Sequence, residues 1–403
     1  MISGIIAIDK PPGISSAAVV ARVKKALGVK KVGHTGTLDP FATGLMLCAI
    51  NKATRISGFL LGSSKTYLAD LELGIETDTF DITGKIVSRS SIHESQVDTL
   101  PGNIDDLSGN ADALPGNVDA LSGNADALPG NVDALPCNVE TLPGKLPETI
   151  LPERVKVILE TFIGPQMQSP PIYSALKQNG IPLYKLARQG TPVQKPPRRI
   201  EIFSIELLYL DMPRMGFAIH CSSGTYIRTI AHDIGRKLGC GAVLAGLRRT
   251  ETCGFSVDDA LTLSQLEAMD VSQAMNHLIP MAEILSFMPA IHADDELMER
   301  IRFGRPLPPS LADCLLNPID HRVTAGDHRL NPIDHQLIPG DHRLSPGDHR
   351  VIGNGLPRES SVNDRPGSLK YYFRVLDTDG ELVAVVSHDG VPGRYKYCCV
   401  LVD

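Results

Sequence analysis

The first fifty residues carry a hydrophobic pattern that changes from helical to extended. Apolar residues first recur at helical spacing; Ser15 or Ser16 can cap the start of this helix, and Gly28 lies just past its end. The apolar positions are Val20, Val23 and Leu27. Residues 45–50 then form an unbroken apolar run, typical of a strand buried on both faces, although periodicity alone also allows a buried helical segment.

Two later regions predict the next strands and a second helix. Residues 66–73 alternate, which indicates a half-buried strand with Tyr67 on its apolar face. Residues 217–221 read as a strand, and an amphipathic helix follows and ends at Gly239. Arg228 lies in the first turn of this helix, off its apolar face. A cation there opposes the helix dipole, so Arg228 requires an acidic partner or a phosphate.

The C-terminal region predicts short strands. Residues 371–376 and 381–387 flank a turn rich in Asp and Gly and indicate a hairpin, and residues 395–402 indicate a last strand. Such a group of strands is typical of a small β-rich domain or of a generic β cap.

The most informative stretch is the loop of residues 33–44, which joins the first helix to the apolar run. It contains His34, Asp39 and three glycines, and Pro40 biases Asp39 away from helical geometry. One interpretation is that the loop is shaped to hold Asp39 for chemistry. The alternative is that Asp39 caps a short turn or helix that begins at Pro40.

Two arrays with a period of seven interrupt the chain. The first runs from Leu100 to about Leu146 and contains repeated Gly and Pro, which excludes a coiled coil. The second, over residues 317–351, repeats Asp-His-Arg or Asp-His-Gln and holds five of the twelve histidines. We interpret both as disordered surface insertions, with weak metal or polyanion binding as the alternative for the second.

Charge and cysteine content narrow the class of protein. The net charge is -7, but residues 95–150 contain nine acidic residues and a single lysine, so the rest of the chain is close to neutral. Basic residues cluster before the loop and again over residues 177–199 and are candidates for a phosphate-facing surface, among them Lys10, Arg22, Lys24, Lys25, Lys30, Lys31, Lys177, Lys185, Arg188, Lys195, Arg198 and Arg199. The eight cysteines show no C-x-x-C pair, which predicts reduced thiols and no metal site. No secretory signal or membrane-spanning run is evident, so we expect a cytoplasmic protein without membrane attachment.

The loop resembles the catalytic loop of the bacterial tRNA pseudouridine-55 synthase family (TruB), and six further motifs match that family in order. The resemblance covers roughly residues 4–90 and 152–285. The further motifs are Ile8-Asp9-Lys10-Pro11, Lys65-Thr66-Tyr67, Tyr173-Ser174-Ala175-Leu176-Lys177, Ala187-Arg188-Gln189-Gly190, Gly224-Thr225-Tyr226-Ile227-Arg228-Thr229-Ile230 and Leu247-Arg248-Arg249.

The resemblance implies an α/β (α+β) fold, the pseudouridine synthase fold, with a mixed and largely antiparallel central sheet. It implies a catalytic domain over residues 1–285, with the first array as an insertion at 94–150. A small PUA-like β domain would occupy residues 286–403, with the second array as an insertion at 317–366.

By the same resemblance, Asp39 is the catalytic carboxylate and pairs with Arg228. Tyr67 stacks on the target base and takes part in proton handling, while Tyr226 and Leu247 line the uridine pocket. His34, which local sequence allows to be structural, a general base or a stacking group, is assigned to RNA recognition.

The implied reaction isomerises uridine to pseudouridine at position 55 in the TΨC loop of tRNA after base flipping. It requires no cofactor and no metal, and the expected partner is the tRNA T-arm, bound by a monomer without an obligate protein partner. The alternatives are the catalytic subunit of a guide-RNA pseudouridylation particle and a tRNA-binding folding chaperone.

Overall fold

The computed structural model describes residues 2–90, 150–308, 323–324, 371–388 and 395–402. The first heptapeptide array and nearly all of the second lie outside these residues. The predictions made for the arrays, and the domain boundaries drawn around them, therefore stay predictions.

The described residues form α-helices, strands and two short 3-10 helices. The strands are β1 (Gly4–Lys10), β2 (Val32–His34), β3 (Thr43–Ile50), β4 (Lys65–Leu73), β5 (Ile75–Thr77), β6 (Ile86–Arg89), β7 (Gly164–Gln168), β8 (Lys177–Gln178), β9 (Ile181–Pro182), β10 (Arg198–Asp211), β11 (Arg214–Cys221), β12 (Ala242–Thr252), β13 (Phe255–Ser256), β14 (Leu261–Thr262), β15 (Ala290–His292), β16 (Val323–Thr324), β17 (Tyr371–Leu376), β18 (Leu382–His388) and β19 (Tyr395–Val400). The helices are α1 (Ser16–Ala26), α2 (Ser57–Leu61), α3 (Pro152–Glu160), α4 (Leu183–Arg188), α5 (Ile227–Leu238), α6 (Leu263–Ala268), α7 (Val271–Met275), α8 (Met281–Ile284) and α9 (Asp295–Arg302), and the 3-10 helices are Asn51–Arg55 and Val257–Asp259.

A ten-stranded sheet forms the centre of the molecule. Its order is β14-β1-β3-β12-β4-β11-β10-β7, with β2 beside β3 and β13 beside β12. The β3–β12 and β1–β14 pairs are parallel and the other pairs are antiparallel. The predicted α/β fold with a mixed, largely antiparallel sheet is confirmed.

The local predictions around the site are also confirmed. Helix α1 begins after Ser15, whose side chain accepts a hydrogen bond from the Ala18 amide. Strand β3 is buried on both faces, as its unbroken apolar run indicated. Helix α5 ends at Gly239, which takes a left-handed φ of 85°.

Apolar side chains from both faces of the sheet form the core. Helices α3 and α5 pack on the half that contains β4, β10, β11 and β12, and their contacts include Val155, Ile230 and Phe217. Helices α1 and α6 pack on the face of β1 and β3. The β1–β3 half of the sheet is thus covered on both faces, whereas β4 buries alternate residues and leaves its other face exposed.

A second sheet of five strands, in the order β16-β15-β17-β18-β19, contains the predicted C-terminal hairpin. It shares a hydrophobic cluster with the central sheet, in which Tyr372 and Val385 pack with Ile5 and Leu47. Among the described residues, no helix is long and apolar enough to cross a membrane.

Candidate active site

The register of three central strands assembles the site. The parallel pair β3–β12 places Gly44 opposite Arg249, and the antiparallel pair β12–β4 places Arg249 opposite Tyr67. The loop that precedes β3 and contains Asp39 therefore lies beside both neighbouring strands, because residues paired in a sheet are held at fixed separations.

Lys10 holds the Asp39 loop (residues 33–44) by hydrogen bonds to its backbone carbonyls. Its side chain is fully buried, and Nζ donates to the carbonyl oxygens of Pro11 (3.0 Å), Pro40 (3.0 Å) and Ala42 (2.6 Å). Burial lowers the pKa of Lys10 to about 8, and Asp39 opposes this shift. The prediction that placed Lys10 on a phosphate-facing surface is wrong, because its ammonium is directed into the loop and saturated by carbonyls.

Arg249 joins the two ends of the same loop. Its buried guanidinium donates from Nε to the Leu45 carbonyl at 2.7 Å and from Nη2 to the Gly36 carbonyl at 3.3 Å. Gly44 has a φ of 101°, and a Cβ at that position would lie 2.2 Å from the Arg249 carbonyl oxygen. Glycine is therefore required at residue 44 both for its backbone angle and for the close approach of β12.

Asp39 begins a short turn and no helix, and its side chain pairs with Arg228, so capping is not its sole role. Its carbonyl closes a short turn by accepting from the Ala42 amide at 3.1 Å. Ser16 Oγ holds the preceding residue, accepting from the Leu38 amide and donating to the Leu38 carbonyl, both at 2.9 Å. The backbone of the loop is thus fixed without use of the Asp39 carboxylate.

The Asp39 side chain is directed to Arg228. It remains 36% exposed, and its Oδ2 lies 2.9 Å from Arg228 Nε. Burial raises the pKa of Asp39 and Arg228 opposes that shift, while Asp81 reinforces it and Lys10 opposes it. The carboxylate therefore lies between two cations and one like charge.

Arg228 supplies the counter-charge from the first turn of α5. Besides Asp39, Nη1 donates to the Thr79 carbonyl at 2.9 Å and lies 3.4 Å from Asp81 Oδ2. Nη2 donates to the Tyr173 carbonyl at 2.9 Å. The carboxylates of Asp39 and Asp81 are the acidic partners that a cation at a helix N-terminus requires. Together with the two carbonyls, they fix the guanidinium in one orientation.

Tyr67 lies in the core beneath the loop. Its ring is buried, burial raises the pKa of the phenol, and a hydrogen bond with Arg249 acts in the opposite direction. Asp39 also raises the pKa of Tyr67, so the two groups are electrostatic neighbours. The alternation of residues 66–73 correctly predicted this core position.

Residues from β7 and β10 hold Tyr226 at the N-terminus of α5. Its amide donates to Gln168 Oε1 at 2.8 Å, and its carbonyl accepts from Gln168 Nε2 at 3.1 Å. The Arg198 guanidinium lies over the Tyr226 ring, 4.7 Å from its centroid. Leu247, on β12, is partly buried and packs against the main core.

His34 ends β2 and is half-buried. Its Nδ1 accepts a hydrogen bond from the Gly36 amide at 3.3 Å, and burial together with Arg249 lowers its pKa. Within the described residues, no hydrogen bond or ion pair joins His34 to Asp39. The neutral ring is available for stacking.

Sequence reasoning missed Asp81, which is the second carboxylate at Arg228. Asp81 Oδ1 accepts from the hydroxyls of Thr79 (2.9 Å) and Thr83 (2.6 Å) and from the Thr83 amide (3.0 Å). The signal was an aspartate with threonine two positions away on either side and Gly84 three positions later, directly after a strand. Such a pattern is typical of an Asx-type turn.

The described residues contain no cluster of three or more His, Cys, Asp or Glu side chains able to hold a metal ion. The structure brings together one partly open carboxylate, a buried guanidinium that contacts it, and the buried phenol of Tyr67.

Comparison with known proteins identifies the family of the chain. The model of the TruB family pseudouridylate synthase N-terminal domain matches residues 24–128 and 138–227, and the tRNA pseudouridylate synthase B C-terminal domain model matches residues 228–286. Two relatives are named tRNA pseudouridine synthase B. The protein of Syntrophotalea carbinolica is 39% identical over 79% of this chain and 85% of its own length, and that of Bordetella avium is 40% identical over 66% and 88%.

Solved structures share the fold at lower identity. A Cbf5-Nop10-Gar1 complex gives a TM-score of 0.57 at 20% identity over 99% of this chain and 85% of the matched chain. An archaeal box H/ACA sRNP Nop10-Cbf5 complex gives 0.55 at 18% identity over 99% and 86%. The domain models and the carboxylate–guanidinium site on a mixed sheet define a pseudouridylate synthase. Within that class, the chain belongs to the TruB family.

Proposed function

We propose that this protein isomerises uridine to pseudouridine at position 55 in the TΨC loop of tRNA. Membership of a family whose relatives are named tRNA pseudouridine synthase B supports the reaction and the substrate. The observation that carries the proposal is the ion pair of 2.9 Å between Asp39 and Arg228 on a loop fixed by two buried cations.

The reaction breaks the N1–C1′ glycosidic bond and forms a bond between C1′ and C5 of the same base, and the proton at C5 is lost as N1 gains one. Asp39 is the group that starts it, either by attack of a carboxylate oxygen at C1′ or by removal of the proton at C2′. Arg228 holds Oδ2 and keeps the carboxylate ionised, which leaves Oδ1 for the substrate. Tyr67 stacks on the target base and takes part in proton handling there.

The substrate contacts are those that the family resemblance assigns. Tyr67, Tyr226 and Leu247 supply the aromatic and apolar surface that a flipped uridine requires, and His34 stacks on the RNA. Base extrusion costs a few kcal/mol, and stacking of this kind offsets part of that cost. No step requires a metal or a cofactor.

The partner is tRNA, bound through its T-arm by a monomeric protein in the cytoplasm. The small sheet of β15–β19 is the PUA-like region and extends the RNA contact. The matched Cbf5 structures are complexes with other proteins, so a guide-RNA particle is the competing assembly. Activity on naked tRNA, without a guide or a protein partner, decides between the two.

The experiment follows release of tritium from tRNA labelled at C5 of uridine. Wild-type protein should release the label from position 55, and Asp39→Asn should lower the rate by about 10⁴-fold or more because the reacting group is lost. Asp270→Asn is the control: Asp270 caps α7 and is exposed, so its removal tests only the general effect of losing an aspartate.

Inactive wild-type protein, or full activity in Asp39→Asn, would contradict the assignment. Rescue of tRNA folding by Asp39→Asn would instead support the folding-chaperone alternative.

A further inference from the structure

One face of α5 contacts a single short segment at three successive turns. We name residues 76–81 the docking segment. Arg228, His232 and Arg236 are spaced four apart, so they lie in one row on the helix. Arg236 Nε lies 3.1 Å from Glu76 Oε1, His232 Nδ1 lies 3.5 Å from the same oxygen, and Arg228 binds Thr79 and Asp81.

The middle contact is an aromatic stack. The rings of Phe80 and His232 have centroids 4.1 Å apart and an interplanar angle of 18°. Burial lowers the pKa of His232, with Glu76 opposing the shift, so the ring is neutral and stacks as an aromatic.

Phe80 occupies a backbone conformation that its side chain disfavours. Its φ is 64°, in the left-handed region where a bulky residue is strained. Such a conformation persists only where the surroundings hold it, and here the stack on His232 is one contact that does so. Two backbone hydrogen bonds also do so: the Leu244 amide of β12 donates to the Phe80 carbonyl at 3.0 Å, and the Phe80 amide donates to the Thr77 carbonyl at 3.3 Å.

Phe80 lies between the two groups that Arg228 uses. The Thr79 carbonyl precedes it and the Asp81 carboxylate follows it, and both contact Nη1 of Arg228. Rotation of the backbone at Phe80 moves these two acceptors together. The stack therefore sets the acceptors that orient the guanidinium, and through the guanidinium it sets the carboxylate of Asp39.

We infer that Phe80 and His232 are positioning residues for Arg228: their stack docks the segment 76–81 on α5 and holds the Arg228–Asp39 pair in its reactive geometry. Neither residue contacts Asp39. The inference rests on the proposed function for its effect on rate, whereas the docking itself is independent of it.

The test uses the full-length protein with His232→Ala, His232→Phe and Phe80→Gly. Single-turnover pseudouridine formation with excess enzyme gives the rate, and filter binding gives the Kd for tRNA. Hydrogen exchange by mass spectrometry reports the opening of residues 77–84 without reference to activity. Lys237→Ala is the matched control, since Lys237 lies on the same helix but over Phe162, 4.7 Å from the ring centroid.

In His232→Ala we expect faster exchange in residues 77–84 and a rate about three- to tenfold lower, the range that loss of one aromatic pair gives. The Kd should stay within about twofold, since neither ring belongs to the RNA-contacting groups. His232→Phe should restore both the protection and most of the rate, because it restores the stack without the contact to Glu76. Phe80→Gly should lose rate like His232→Ala but with a smaller loss of stability, since glycine relieves the strain.

Unchanged exchange in His232→Ala overturns the docking. A change in Kd alone, an unchanged rate despite faster exchange, or an equal loss in Lys237→Ala overturns the positioning role. If wild-type protein is inactive on tRNA, the proposed function fails, and the exchange data still decide the docking.

Discussion

The Asp39 loop and the docking segment contact different nitrogens of Arg228 and are held in different ways. The loop is held by its backbone: Lys10 and Arg249 bind its carbonyls and leave the Asp39 side chain 36% exposed. The docking segment has backbone contacts at Thr79 and Phe80, but its side chains are bound as well. Glu76, Phe80 and Asp81 all contact α5, and Asp81 is only 6% exposed.

The difference is consistent with the roles proposed for the two carboxylates, reaction for Asp39 and support for Asp81. The contacts that hold the loop do not use the Asp39 carboxylate, whose Oδ2 pairs with Arg228. Under the proposed function, Oδ1 serves the substrate. Asp81 accepts hydrogen bonds from Thr79 and Thr83 in addition to Arg228, so its oxygens are occupied. Two aspartates at one guanidinium thus differ in how far their carboxylates are exposed and already hydrogen-bonded.

Substitution of Arg228 has the largest expected effect on this comparison, because both regions meet at its guanidinium. Arg228→Met should lower the single-turnover rate by about 10³-fold, as for loss of a preorganised charge at a reacting centre. Arg228→Lys should recover little, since an ammonium cannot serve Asp39, Thr79, Asp81 and Tyr173 from fixed positions. Tritium release measures both variants.

A Lys variant with more than about a tenth of wild-type activity would show that charge alone, without the fork, orients Asp39. Circular dichroism is the control for folding in both variants, because removal of Arg228 leaves Asp81 without its buried cation.

The second-largest expected effect is on the free energy of unfolding. It tests whether the Asp39 loop requires the close approach of its backbone to β12 at Gly44. Gly44→Ala places a Cβ 2.2 Å from the Arg249 carbonyl oxygen, so β3 and β12 must separate, and we expect a loss of about 3 kcal/mol in the free energy of unfolding. Gly28→Ala is the matched control. Gly28 also has a positive φ, of 61°, but a Cβ added there would meet nothing within 4 Å, so only about 1 kcal/mol should be lost.

Urea denaturation measures both glycine variants. Equal losses at residues 44 and 28 would mean that backbone conformation, and not the close approach of β12, requires glycine in the loop.

The two regions also differ in how far sequence predicts them. The Asp39 loop has glycines, a proline and an aspartate between two apolar segments, and local rules indicate a shaped turn there. The ion pair with Arg228 followed only from the family resemblance, because residues 39 and 228 meet through strand order. The register β3–β12–β4 is a tertiary property that no local period reveals.

The docking segment was missed because its left-handed position carries phenylalanine. A glycine at residue 80 would have indicated a turn, whereas Phe80 reads as an ordinary apolar residue after a strand. The surface position predicted for Lys10 was wrong for a related reason. A lysine beside Asp9 and Pro11 is typical of a solvated surface, and only the fold shows three carbonyls converging on its ammonium.

The smallest expected effect is a shift in the pH dependence of the single-turnover rate. It distinguishes the role of Asp39 from that of Asp81. The reaction requires ionised Asp39, whose pKa is raised by burial and further by Asp81. The rate should therefore fall on the acid side at a pH above the ordinary pKa of an aspartate, as the carboxylate gains a proton. In Asp81→Asn a like charge is removed and the charge of Arg228 is no longer shared with a second carboxylate, so both changes lower the pKa of Asp39.

The acid limb of the single-turnover profile should therefore move to lower pH in Asp81→Asn, even though the plateau rate falls because Arg228 is less well held. A supporting aspartate predicts this combination of lower plateau and lower pKa. If Asp81 were instead the group that reacts with substrate, its removal would abolish the rate at every pH and leave no limb to measure. The direction of the shift thus tests which of the two carboxylates takes part in the chemistry.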